Sequence, residues 1–64
     1  MTQLLTIREA AEILRMSRER TYELAARGEI PVIRISERRI RVPAEALELW
    51  IVERTVGATR GGGP

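Results

Sequence analysis

Between Leu14, the last residue of one helical pattern, and Arg18, the first of another, the chain has only Arg15, Met16 and Ser17 in which to turn. The upstream pattern opens with Thr6-Ile7-Arg8-Glu9. That is capping-box spacing, in which the Thr hydroxyl and the Glu carboxylate each satisfy an orphaned backbone N–H. Ile7, Ala10, Ala11 and Leu14 follow at the spacing of one buried stripe, which predicts a helix over 7–14. Arg15-Met16 is a short break, and Ser17 is a good N-cap for a second helix. In that helix Thr21, Leu24, Ala25 and Gly28 share one face. Glu19, Tyr22, Glu23 and Ala26 share the other, flanked by Arg18, Arg20 and Arg27. Gly28 suits the C-cap, and Pro31 forbids continuation. Two short helices so tightly joined have helix-turn-helix geometry.

A β signal follows. Val32-Ile33-Arg34-Ile35 and Ile40-Arg41-Val42 alternate apolar with charged residues around Ser36-Glu37-Arg38-Arg39. As a two-stranded ribbon, Ile33, Ile35, Ile40 and Val42 are expected to face the helices, with Arg34, Arg41 and Arg39 outward. An isolated hairpin is marginal, so it must pack on the helices. Pro43 suits the first turn of a third helix over Ala44 to about Arg54. Its expected apolar face is Leu47, Trp50 and Ile51, with Ala46 and Leu49 beside them, and Trp50 is expected to contribute most to the core. Residues 1–55 then form one winged helix-turn-helix domain, mainly α with a small β-hairpin. Residues 56–64, with four glycines and no periodicity, read as a flexible tail.

The 64 residues are 44% apolar and 31% charged, which fits a single small globule. Tyr22 and Trp50 are the only aromatic residues, so the core must be built from Ile, Leu, Val and Ala. With neither Cys nor His, no disulfide, ordinary zinc site or other metal cofactor is expected. No apolar run approaches the ~18 residues of a membrane span and no signal peptide opens the chain. A cytoplasmic, nucleoid-associated location is expected. The same inventory argues against an enzyme: without His, Cys, Lys or Asp the usual bases and nucleophile activators are missing. Ser17 and Ser36 have no partner base, and Glu45, Glu48 and Glu53 read as a solvated helix face.

Every basic residue is Arg and every acidic one Glu, a bias that a GC-rich coding sequence explains. The clustering is more informative. Of a net charge of +2, residues 34–42 alone carry +3, from Arg34, Arg38, Arg39 and Arg41 against Glu37. Arg forks onto phosphate or guanine and fits a narrowed minor groove.

The sequence also resembles a family. Leu5 through Leu14, Met16-Ser17-Arg18, Tyr22-Glu23-Leu24, Gly28-Glu29-Ile30-Pro31, Arg34-Ile35, Arg39 through Pro43 and Ala46 through Trp50 carry the likeness. Over roughly residues 4–54 they look like the excisionase-type branch (recombination directionality factors) of the MerR-like winged helix-turn-helix proteins. The resemblance implies sequence-specific binding of double-stranded DNA, often with bending and side-by-side cooperative binding. Three positions depart from the family pattern: Arg15 and Ser36 stand where Gly is common, and Glu23 where a basic or polar residue is usual. These bear on sequence preference rather than on the fold.

In a winged helix-turn-helix the second helix enters the major groove and the wing lies along the backbone or in the minor groove. The candidate contacts on the helix are Ser17, Arg18, Glu19, Arg20, Tyr22, Glu23 and Arg27, with Ser17 mainly a cap. Those on the wing are Arg34, Arg38, Arg39 and Arg41. The plainer alternatives are i, i+4 surface pairs (Arg15–Glu19, Glu23–Arg27), Tyr22 packing on Arg18 or the wing, and arginines guarding exposed strand edges. The leading expectation is an excisionase-like architectural protein. Too small for an effector domain, it would bend attachment-site DNA with neighbouring copies and recruit an integrase. A small transcriptional regulator on promoter direct repeats is the alternative. A protein-interaction module, such as an antitoxin or packaging subunit, is the third.

Overall fold

The computed structural model describes residues 3–57. A two-residue strand, β1 (Leu4–Leu5), precedes α1 (Ile7–Leu14) and α2 (Arg18–Ala26); β2 (Ile33–Arg34) and β3 (Ile40–Pro43) lead into α3 (Ala44–Arg54). This is the expected winged helix-turn-helix, with one strand more than the sequence suggested. β1 pairs with β3, so a three-stranded antiparallel sheet of order β1-β3-β2 replaces the expected two-stranded ribbon.

Local chemistry sets the helix limits. At Thr6 both halves of the capping box form: the Glu9 N–H donates to Thr6 Oγ1 at 3.1 Å, and the Thr6 N–H donates to Glu9 Oε1 at 2.9 Å. Leu5, just before the cap, and Ala10, one turn in, both join the core, so the chain enters α1 at a fixed angle. The helix ends at Arg15, which takes a left-handed conformation at φ 59°. The Arg15 and Met16 N–H groups return to the carbonyls of Glu12 and Ala11 at 3.3 and 3.0 Å, the two bonds of a Schellman turn. The same device closes α2 around Gly28 at φ 73°, with Gly28 and Glu29 bonded back to Ala25 and Leu24. Gly28 is thus the residue beyond the helix end, and it is exposed.

The core lies where α1, α2 and α3 meet β3. Leu5, Ala10, Ala25, Ile30, Ile40, Val42 and Leu47 form it, with Ile7, Leu14, Leu24, Val32, Trp50 and Ile51 packed around. Thr21 is fully buried beneath α2, its hydroxyl donating to the Ser17 carbonyl at 2.9 Å.

Four expectations are corrected. First, the phase of β2 is inverted. Arg34 lies opposite Ile40 and Ile33 opposite Arg41, and residues directly opposite in an antiparallel pair share a face. Ile33 and Ile35 therefore point away from the helices and remain 42% and 55% exposed, while Ile30 and Val32 supply the buried contacts. Arg34, expected outward, instead shares the face of Ile40, though it stays exposed at the sheet edge. Second, Trp50 is only half-buried; the largest fully buried side chains are Ile30, Leu47, Val42 and Thr21. Third, Leu49 is exposed rather than beside the core. Fourth, Pro43 ends β3 and precedes α3 as its N-cap instead of occupying its first turn. With no side chain to cap α3, the Ala44 N–H donates to the Gln3 carbonyl at 2.8 Å, so the residue just before β1 also anchors the third helix. Of the tail expected over 56–64, residues 58–64 lie outside the described residues. No helix among the described residues is long and apolar enough to cross a membrane.

Candidate nucleic-acid interface

α2 buries Thr21 and Ala25, packs Leu24 against the core and presents its remaining residues outward. Arg18, Glu19, Arg20, Tyr22 and Glu23 are all exposed on this one short helix. The Ser17 hydroxyl accepts the Arg20 N–H at 3.1 Å, which fixes the start of α2 and commits that oxygen to the cap. Ile7, Arg18, Glu19, Tyr22 and Glu23 line a shallow, mostly apolar notch where the start of α1 meets the outer face of α2. On its other flank Glu19 and Glu23 adjoin Met16, Ser17 and Arg20.

Neither pair that would neutralise this face forms among the described residues. Arg27 turns away, its guanidinium 3.6 Å from the Glu29 carboxylate, at a contact more than half exposed on both sides. It also lies nine residues along the helix from Arg18, about 13 Å at the rise of an α-helix. The fold therefore brings six of the seven helix candidates together and leaves Arg27 at the far end. Glu19 and Glu23 remain as carboxylates without an ion-pair partner among the described residues.

The wing tip is a closed β-turn. Arg39 N–H donates to the Ser36 carbonyl at 3.2 Å, and the Arg39 carbonyl accepts from Ile35 at 2.8 Å and Ser36 at 3.3 Å. No residue in it needs positive φ, so Ser36 serves without the freedom of a glycine. Arg38 and Arg39 project from this turn, and Arg34 lies just behind on β2. All three are exposed, with no side-chain hydrogen bond or ion pair among the described residues. Arg41 differs. It is half-buried on the outer face of the sheet, and its guanidinium donates back to the Ile40 carbonyl at 3.0 Å. The four arginines thus divide into three free cations and one that braces its own strand.

One basic residue escaped the sequence reading. Arg8, exposed on α1, shares the cleft between α1 and α2 with Glu12, Met16, Arg18 and Glu19. Its place in the capping segment gave no sign of this, because the crossing of the two helices decides it.

Residues 4–55 match the helix-turn-helix domain family. Two proteins of Mycobacterium tuberculosis, one from strain CDC 1551 / Oshkosh and one from strain H37Rv, each share 44% identity over 46 residues. Both carry the name "putative DNA-binding protein". The aligned stretch covers 72% of this chain but 58% of each relative. No solved structure matches. The family match spans both helices of the turn, the wing and α3, and so coincides with the fold observed: the chain belongs to the helix-turn-helix domain family.

Proposed function

We propose that this domain binds double-stranded DNA, with α2 in the major groove and the β2–β3 turn against the adjacent backbone or minor groove. The observation that carries the reading is the set of free cations at the wing. Arg34, Arg38 and Arg39 are exposed and unpaired among the described residues, Arg38 and Arg39 at the hairpin turn and Arg34 just behind it on β2. Exposed arginines without partners are the electrostatic footprint of a phosphate contact. The family match and the names of the two mycobacterial relatives point the same way.

The same features support an architectural, excisionase-like role. Arginines on a narrow turn suit a compressed minor groove, and specificity through deformation needs few base contacts. In this role neighbouring copies occupy an attachment site, bend it and favour integrase-driven excision. Charge reversal of Arg34, Arg38 and Arg39 tests the DNA reading: binding should collapse and its salt dependence flatten. Binding with an unaltered salt slope removes the wing from the interface, and failure of the unaltered chain to bind any duplex at low salt overturns the DNA reading. The architectural role predicts a ladder of cooperative, bent complexes in gel-shift assays. Unbent single-copy binding with no effect on excision overturns that role and leaves DNA binding standing.

A further inference from the structure

The notch on the outer face of α2 has an unusual composition for a surface meant to approach a polyanion. Two of its five lining residues are carboxylates, Glu19 and Glu23, and neither has an ion-pair partner among the described residues. Beside them the lining is apolar, from Ile7 and the Tyr22 ring, and Arg18 completes it. Resting on the DNA-binding reading, we infer that this notch reads the major-groove edge of cytosine and so sets the sequence preference of the domain.

What a carboxylate can face on a duplex is limited. Phosphates repel it, so with α2 in the groove Glu19 and Glu23 are best satisfied at base edges. In the major groove the only donors are cytosine N4 and adenine N6. Adenine N6 adjoins the N7 acceptor, whose lone pair repels the second carboxylate oxygen. Cytosine N4 adjoins C5–H, which asks only for an apolar neighbour, and Ile7 and Tyr22 provide one. Thymine offers a methyl group to the same apolar wall but puts the O4 acceptor against the carboxylate. The order expected from this chemistry is 5-methylcytosine at least equal to cytosine, and both above thymine. Glu19 and Glu23 are four residues apart, about 6 Å along the helix. That is about two base steps of 3.4 Å, so two cytosines at that separation are expected. Arg18, one residue before Glu19, is placed to take a flanking guanine, the base that Arg reads best.

The test uses the full chain and a pool of randomised DNA duplexes, with the bound fraction sequenced. Enriched cytosines about two steps apart are expected. Replacing them by thymine should weaken binding by about tenfold or more, while 5-methylcytosine should not weaken it. Glu19→Gln and Glu23→Gln should each move the preference at one position from cytosine to adenine, because Gln pairs with N6 and N7 together. Circular dichroism checks that both variants stay folded. Binding without base enrichment, or preferences unchanged in both variants, overturns the inference while leaving DNA binding intact. No binding to any duplex at low salt overturns both.

Discussion

The indole Nε1 of Trp50 donates a 3.0 Å hydrogen bond to the carbonyl oxygen of Glu29, joining α3 to the turn that ends α2. The N–H of the same Glu29 closes that turn on Leu24 at 2.9 Å. One residue therefore both stops the helix proposed to enter the groove and fastens it to the third helix. Arg54 lies over the Trp50 ring, 4.4 Å from its centre, and covers the exposed side of the joint.

Trp50→Phe keeps most of the ring and removes the bond, leaving the Glu29 carbonyl to water. The expected cost is about 1 kcal/mol, the net value of one such hydrogen bond. Trp50→Ala also removes the half-buried ring and should cost about 3 kcal/mol. Urea unfolding followed by circular dichroism measures both. Equal stability of the wild type and the Phe variant would show that the bond contributes nothing.

Arg15 is the one non-glycine residue with positive φ among the described residues. A side chain in the left-handed region costs about 1–2 kcal/mol. Glycine avoids that cost but loses about 0.4–1 kcal/mol through the greater freedom of its unfolded chain. Arg15→Gly should therefore stabilise the domain by about 0.5–1 kcal/mol, whereas Arg15→Ala, which keeps the strain, should change little. A rise in stability in both variants would point instead to repulsion of the Arg15 charge by its neighbours.

The helices were legible in the sequence because their limits are local. Thr6 and Glu9, Gly28 and Pro31 act over three or four residues, and the stripes of α1 and α2 need nothing beyond their own spacing. The sheet was not, because its decisions are made at a distance. Alternation at Val32 through Ile35 is equally consistent with either face. The pairing of Arg34 with Ile40 chooses between them, and it turns Ile33 and Ile35 outward. β1 has only two residues, too few for any periodicity. The exposed face of α2 is the one opposite Thr21 and Ala25, so its exposure too was readable, whereas the turning away of Arg27 toward Glu29 was not. That Arg41 folds onto its own backbone while Arg38 and Arg39 stay free was not, since it depends on the shape of the wing.

Ser17 is a cap before it is anything else. Its hydroxyl holds the Arg20 N–H and its carbonyl receives the Thr21 hydroxyl. Ser17→Ala should destabilise the domain by about 1 kcal/mol. Ser17→Asp preserves the capping acceptor and should leave stability nearly unchanged. It also places a negative charge at the start of the proposed recognition helix, so its DNA affinity should fall. Thermal unfolding beside anisotropy on labelled duplex separates the two effects. A Ser17→Asp variant that binds DNA as the wild type does would remove this end of α2 from the interface.

The wing arginines should separate in the same way. The side chains of Arg38 and Arg39 make no hydrogen bond or ion pair among the described residues, so their joint replacement by Ala should shift stability by no more than about 0.5 kcal/mol. If each neutralises one phosphate, the slope of log binding constant against log salt should lose about 0.9 for each, close to two in all. Arg41 is half-buried and bonded to the Ile40 carbonyl, so Arg41→Ala should cost stability, about 1 kcal/mol, and alter the salt slope little. The contrast matters more than either value, because all three residues carry the same charge within four positions of one another. A salt slope that falls equally for Arg38, Arg39 and Arg41 would mean that the Arg41 guanidinium leaves its strand to meet DNA, and that the wing changes shape on binding.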